Sequence, residues 1–264
     1  MASTSTSTIL PHDTKLELGS SSPIDDAVKP TTYVLNGTNI APEDAPGQPL
    51  FRLAWDITSI PQKGSSVAFD NLDHGKPENE ETHASGEPQV RRLFYLAHPA
   101  DAKFRTDVPA YYITSASPEG LGNIGLEANK PRLKKMEFTV VLSPGRTASH
   151  KPLFDAQQRQ LFSAKPKWAG NAYMWTDAEG REVAHEAGKA PQQKLVVAVP
   201  LEPRLRNALV AAWCLRLWHD TAESKEAKRD ALERLTPAES VNEYNGKWVK
   251  KAGIVGVLGT LGGA

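Results

Sequence analysis

Residues 203–219 read PRLRNALVAAWCLRLWH, and this stretch decides the fold. It opens with a proline, which suits the first turn of a helix, and continues with good helix formers. No side chain between residues 208 and 215 is charged, and a helix that is apolar on every side must be buried on every side. At 1.5 Å per residue the helix is roughly 25 Å long, about the height of a β-barrel. A membrane span is the competing interpretation, but Arg204, Arg206 and Arg216 leave too short an apolar window.

Short strand-like runs occupy most of the chain before this helix. Each is rich in β-branched or aromatic residues and is bounded by Gly, Pro, Asp or Asn. About twelve such runs without an interleaved helix exclude a βαβ architecture and leave a sandwich or a barrel. We expect a mainly β fold with the hydrophobic helix buried at its centre, plus C-terminal helices. Of the two architectures, the family resemblance given below implies the antiparallel barrel of about twelve strands around a central hydrophobic helix. The runs cover residues 33–35, 50–55, 67–71, 91–97, 110–115, 123–126, 136–142, 152–154, 160–164, 172–176, 181–186 and 194–200.

The clearest hairpin lies at residues 173–186. Asp177-Ala178-Glu179-Gly180 separates two strand-like runs, and Gly180 can adopt the positive φ that such a turn requires. On the second strand His185 and Glu186 are neighbours, so we expect them to face opposite sides of the sheet.

The composition divides the chain into three regions. Residues 1–30 are rich in Ser and Thr and are expected to be a disordered arm, and residues 73–88 form a long acidic surface loop. The barrel with its helix at 203–219 covers residues 31–221. Residues 222–264 are expected to form a C-terminal helical extension, with helices over 222–235 and from the capping box Thr236-Pro237-Ala238-Glu239, followed by a Gly-rich apolar tail.

Several segments together carry a family resemblance: residues 33–37 (YVLNG), 49–51 (PLF), 161–164 (LFSA), 173–175 (YMW), 180–186 (GREVAHE) and the apolar helix. The chain resembles the tubby C-terminal-like superfamily over residues 31–221, and specifically a fungal branch of it. That superfamily includes tubby proteins, phospholipid scramblases and LURP-one-related proteins. The resemblance implies a twelve-stranded barrel with the hydrophobic helix inside. The lysine and arginine that hold phosphoinositide headgroups in tubby proteins have no match here, so lipid binding is not carried over residue by residue.

Charge and cysteine content narrow the function classes. Lys+Arg 31 balances Asp+Glu 31, so the chain has no overall field that would attract nucleic acid or anionic membrane, and no nucleic-acid partner is expected. Cys214 is the single cysteine and lies in an apolar run, which indicates a buried side chain rather than a reactive thiol. The first ten residues lack the features of a secretory signal, and no run is long enough to span a bilayer. We expect a cytoplasmic protein, with peripheral-membrane or nuclear location as the alternatives.

No motif predicts an enzyme, a cofactor or a metal site. The seven histidines form neither HxH nor HExxH, so we expect no metal ligands and no catalytic residues. The segment GLGNIG at residues 120–125 lacks the βαβ context of a nucleotide-binding loop and predicts a tight turn or bulge instead.

Two cationic segments are candidates for binding an anionic phospholipid. The basic loop contributes Lys130, Arg132, Lys134 and Lys135, which could hold a phosphorylated headgroup. Trp248, Lys250 and Lys251 precede the Gly-rich tail and are candidates for contact with a membrane interface.

Three functions therefore remain open. The first is a non-enzymatic binding module that engages anionic lipid or phosphoinositide. The second is a scaffold that binds a protein partner through the acidic loop and the helix at 222–235. The third is an enzyme that uses the barrel interior, which the central helix opposes because it fills the space for a substrate.

Overall fold

Twelve strands follow one another along the chain and close into an antiparallel barrel, which confirms the expected mainly β class. The computed structural model describes residues 27–59, 65–74, 88–99, 102–130, 135–167, 172–189 and 192–224, together with residues 227 and 229. Each strand pairs with the next, and the last pairs with the first. The strands are β1 (Thr31–Asn36), β2 (Asn39–Pro42), β3 (Phe51–Leu53), β4 (Ser65–Asp73), β5 (Gln89–His98), β6 (Tyr111–Ser115), β7 (Gly122–Asn129), β8 (Glu137–Pro144), β9 (Arg159–Pro166), β10 (Tyr173–Asp177), β11 (Glu182–Lys189) and β12 (Gln192–Val197).

The alternating strand directions give the barrel two distinct ends. Odd-numbered strands begin and even-numbered strands finish at one end, which we call the arginine end because Arg91 lies there near the start of β5. Odd-numbered strands finish at the opposite end, which we call the lysine end because Lys130 follows the last residue of β7. The two ends are therefore separated by the length of a strand, about 26 Å for the eight residues of β7 before any tilt.

The number of strands agrees with the sequence prediction, although one predicted strand is wrong and one was missed. Residues 152–154 form no strand; Phe154 instead packs its ring against Tyr112, with 5.8 Å between the ring centroids, and covers the outside of the barrel. The missed strand is β2, whose sequence NIAP has little intrinsic preference for extended structure. It forms because β1 and β3 pair with it on both sides.

The predicted hairpin is confirmed at β10 and β11. These strands pair antiparallel, and Gly180 in the turn between them has a φ of 81°. The amide N–H of Gly180 donates to the carbonyl of Asp177 at 3.1 Å, and the amide of Asp177 donates to the carbonyl of Arg181 at 3.0 Å. At the predicted turn in residues 120–125, Gly122 also takes a positive φ, of 133°, where β7 begins.

The predicted helix is present as α1 (Pro203–Ala222), which follows β12 and extends three residues beyond the expected stretch. Its side chains from Asn207 to His219 are all buried, and Cys214 is a buried free thiol whose pKa is raised by burial. The apolar side chains of α1 join one continuous cluster with residues from all twelve strands. The main core of the described residues therefore combines the helix with every strand of the sheet.

The two ends of α1 contact the two ends of the barrel. At the arginine end the Arg206 guanidinium lies 5.5 Å from the ring centroid of Phe51, the first residue of β3. At the lysine end the Trp218 ring lies 6.3 Å from His98, the last residue of β5, and 6.3 Å from Tyr111, the first residue of β6. The helix therefore covers the distance from one end of the barrel to the other.

The segments expected before and after the barrel are mostly outside the described residues. These are residues 1–26 of the arm, most of the loop at 73–88 and nearly all of the extension at 222–264. The end of the arm does lie in the described part. Val28 exchanges two backbone hydrogen bonds with Leu201, at 2.9 and 3.1 Å, so the chain just before β1 is held against the connection between β12 and α1.

Candidate functional site

Two of the four residues predicted in the basic loop can be located. Lys130 follows β7 directly and Lys135 lies just before β8, and both side chains are exposed. Because β7 and β8 are antiparallel neighbours, both lysines belong to one connection at the lysine end. The other predicted anion-binding and membrane-contact residues lie outside the described residues: Arg132, Lys134, Trp248, Lys250 and Lys251.

An exposed phenylalanine, which the sequence analysis missed, lies at the same end of the barrel. Phe104 ends a single 3₁₀ turn (Ala102–Phe104) in the connection from β5 to β6, and 89% of its surface is exposed. The next residue, Arg105, donates hydrogen bonds of 3.0 and 2.7 Å to the carboxylate of Asp107. In the sequence, the feature that could have predicted an exposed Phe104 is its position as a single aromatic residue in the otherwise polar run DAKFRTD at residues 101–107.

The first turn of α1 carries charges that a helix start disfavours. Glu202 at the N-cap makes no side-chain capping hydrogen bond, and no acidic residue follows in the first turn. Arg204 and Arg206 lie there instead, although the partial positive charge at a helix N-terminus favours anions. Arg206 donates hydrogen bonds of 3.2 and 2.9 Å to Oδ1 of Asn207, whereas the Arg204 side chain is exposed. Natural proteins tend to break a local rule of this kind at binding sites.

Replacing Arg204 with glutamate is expected to raise the free energy of unfolding by about 0.3–1 kcal/mol. The substitution removes a cation from the positive end of the helix dipole and places an anion there. Urea unfolding at low and high salt measures the effect, and the gain should shrink as salt screens the interaction. Arg159→Glu serves as the control, because Arg159 is an exposed arginine at the start of β9, at the same barrel end, and is not part of the helix. A loss of stability for Arg204→Glu would contradict the expected dipole effect.

A buried ion pair joins the helix to the sheet. The Arg216 guanidinium of α1 contacts the Glu186 carboxylate of β11 at 2.6 Å, and only 3% and 5% of these side chains are exposed. The indole N–H of Trp175 donates to the other carboxylate oxygen of Glu186 at 3.0 Å. Arg216 also donates to Asp220 at 2.6 Å and lies 4.5 Å from the ring centroid of Tyr173. The pair therefore fixes the helix relative to two neighbouring strands.

Burial raises the pKa of the Glu186 carboxyl to about 7, and the Arg216 charge and the Trp175 hydrogen bond offset the effect only in part. Such a pKa is typical of a general acid or base, but both oxygens of this carboxylate already accept hydrogen bonds inside the protein. Both oxygens of the Glu186 carboxylate therefore hold the helix and the sheet together. His185 does not join it, because the two side chains face opposite sides of β11 as predicted, with His185 partly exposed.

Among the residues that the structure describes, no three histidine, cysteine or carboxylate side chains come together in a way that could hold a metal ion. No helix in that same part of the chain has both the length and the apolar character needed to cross a bilayer.

Comparisons of the chain with protein-family models, with curated proteins and with solved structures found no match.

Proposed function

We propose that this chain is a non-enzymatic binding module whose helix fills the barrel and whose lysine end engages anionic phospholipid surfaces. The single observation that carries the lipid contact is the position of Phe104, 89% exposed at the end that also presents Lys130 and Lys135. An aromatic side chain that inserts among headgroups and cations that meet anionic lipid form the usual pair of contacts in peripheral membrane binding.

The absence of catalysis rests on the position of α1 at the centre of the barrel. The burial of its side chains on every face, its shared cluster with all twelve strands and its contacts at both barrel ends support that position. A lumen occupied by a helix has no room for a substrate, so ligands reach only the ends and the outer surface. The closed barrel and the buried helix also support our proposal that the chain is a tubby C-terminal-like protein.

The lipid contact predicts a specific pattern of losses in vesicle sedimentation. The full chain should sediment with phosphatidylserine vesicles at low salt and less so at high salt, because each lysine near the surface contributes about 1 kcal/mol. Phe104→Ser and the double substitution Lys130→Glu/Lys135→Glu should each remove at least about 1 kcal/mol of binding free energy. Because about 1.4 kcal/mol corresponds to a factor of ten in affinity, each should weaken binding by roughly fivefold or more.

Two matched controls lie elsewhere on the barrel. Val90→Ser removes the other large exposed apolar residue among those described, 47% exposed near the start of β5 at the arginine end. Lys151→Glu reverses an exposed lysine in the connection from β8 to β9. Both controls should sediment like the unmodified chain. If the unmodified chain ignores phosphatidylserine at low salt, or if the controls lose as much binding as the lysine-end variants, the proposed function is wrong.

A further inference from the structure

A pocket of about 340 Å³ lies at the arginine end, at the opposite end of the barrel from the proposed lipid contact. Three arginines line it: Arg91 and Arg92 near the start of β5, and Arg204 in the first turn of α1. Its volume is at the small end of the range for ligand sites, which is typically about 300–1,000 Å³. The pocket therefore matches a compact ligand and has a strongly basic lining.

Two of the three arginines have no ion-pair partner among the residues that the structure describes. Arg92 is paired with the buried carboxylate of Asp70, its cross-strand partner on β4. Arg91 and Arg204 have no carboxylate within ion-pair distance among the residues that the structure describes. Glu119 is the one carboxylate in the lining, so the cations outnumber the anions in the pocket wall.

The sheet register places Arg91 on the side that faces the helix. Arg91 is opposite Asn71 on β4, and Asn71 is opposite Phe51 on β3, whose ring is fully buried. Directly opposed residues of neighbouring strands project to the same face of the sheet. Arg91 therefore shares its side of the sheet with the core, where Arg204 and Asn207 of the helix also line the pocket.

A buried amide supplies a further donor at the same place. Asn207 is 8% exposed, and its Oδ1 accepts two hydrogen bonds from Arg206. Because the guanidinium fixes which amide atom is the oxygen, the other atom is the NH₂ group, a donor of two hydrogen bonds. No hydrogen bond of this nitrogen is seen among the described residues, and Asn207 is one of the residues that line the pocket. An amide NH₂ group beside two guanidinium groups can donate to an acceptor that is bound in the pocket.

Apolar side chains from the rim of the barrel also line the pocket. Phe94 of β5 and Leu121, just before β7, border the pocket beside the arginines. We propose that this pocket binds a small organic phosphate, with the phosphate between Arg91, Arg204 and the Asn207 amide and the organic group against Phe94 and Leu121. Two guanidinium groups present donors in the planar geometry that suits phosphate oxygens.

Phenyl phosphate is the probe, because it combines a doubly charged phosphate with a ring that fits the apolar side of the pocket. Calorimetric titration of the full chain at low salt should show binding of phenyl phosphate, weaker binding of inorganic phosphate and none of phenol. Arg91→Gln and Arg204→Gln should each weaken the affinity for phenyl phosphate roughly tenfold to a hundredfold. Neither substitution removes an ion pair found in the described part of the chain, so the melting temperature should stay within a few degrees of the unmodified chain.

Arg181→Gln is the matched control, because Arg181 is exposed at the same barrel end but lies outside the pocket lining. It should bind phenyl phosphate normally, and so should Phe104→Ser, which affects only the lipid contact proposed above. Phosphatidic acid vesicles distinguish a lipid source of the phosphate from one in solution: Arg91→Gln reduces sedimentation only if the pocket takes a lipid headgroup. The proposal is overturned if phenyl phosphate fails to bind at millimolar concentration, or if Arg181→Gln weakens binding as much as Arg91→Gln does.

Discussion

Replacing Trp213 with alanine is expected to lower the free energy of unfolding by about 3–5 kcal/mol. Trp213 lies in the middle of α1 and has no exposed surface, so the substitution leaves a large cavity in a core that cannot collapse around it. A typical domain has a free energy of unfolding of about 5–15 kcal/mol, so this loss removes a large fraction of the total. Urea unfolding followed by far-ultraviolet circular dichroism measures the difference.

Two further substitutions separate the effect of the cavity from that of losing an aromatic residue. The indole N–H of Trp213 has no hydrogen-bond partner in the described structure, and leaving such a donor buried costs about 1–3 kcal/mol. Trp213→Phe removes that donor and leaves only a small void, so it should cost far less than Trp213→Ala. Phe104→Ala removes an aromatic residue that is 89% exposed and should change stability by less than about 0.5 kcal/mol. A Trp213→Ala protein with an unchanged melting temperature would contradict the proposed position of α1 inside the barrel.

The helix and most of the strands were predictable because their signals are local. A run without charged side chains, such as residues 208–215, has one stable environment, and the alternation in β8 marks its inner face directly. β2 lacked any local signal, since Asn39 and Pro42 are poor strand residues and pairing on both sides forms the strand. The run at residues 152–154 had a local signal that tertiary packing overrode, because Phe154 covers the outside of the barrel next to Tyr112.

The candidate sites were harder to predict because barrel closure assembles them from distant segments. The lysines at 130 and 135 are close together along the chain, so the sequence alone could propose them as one candidate site. The arginine pocket joins Arg91, Leu121 and Arg204, which are about thirty and eighty residues apart, and no local pattern connects them. The sequence shows Glu186 as a charged residue on the same strand face as Ala184, and it shows Arg216 as an interruption of the apolar run. It does not show that these two side chains pair with each other.

The ion pair between Glu186 and Arg216 is costly to bury and even more costly to break. Moving both groups out of water offsets much of their mutual attraction, whereas removing one partner leaves an uncompensated charge in the core. The Nε atom of Arg216 adds to the cost, because it is buried without a hydrogen-bond partner in the described structure. The pair contacts β10 and β11 through Tyr173, Trp175 and Glu186, so its main effect is to fix the rotation of the helix against these strands.

Arg216→Met is therefore expected to lower the free energy of unfolding by about 3–5 kcal/mol at pH 8. The loss should be smaller at low pH, where Glu186 is protonated and neutral. In the unmodified chain burial already raises the folded-state pKa of Glu186 to about 7, above the ordinary value of 4.5. The folded state thus holds more protons than the unfolded state between these values. The contribution of the Glu186 carboxyl to the free energy of unfolding is therefore fully present below about pH 4.5 and is lost as the pH rises through 7.

Removing the guanidinium takes away the main interaction that lowers the pKa of Glu186, so in Arg216→Met the pKa rises above 7 and stability keeps falling at higher pH. The free energy of unfolding of this variant then falls with pH at a slope that approaches about 1.36 kcal/mol per pH unit, the value for one proton. Arg216→Met/Glu186→Gln is the control: it keeps an oxygen for the Trp175 N–H but has no carboxyl to titrate, so it should recover most of the lost stability at pH 8. Subtracting its unfolding free energies from those of Arg216→Met cancels the other titrating groups. Parallel pH profiles for the two variants would show that Glu186 does not carry a buried charge.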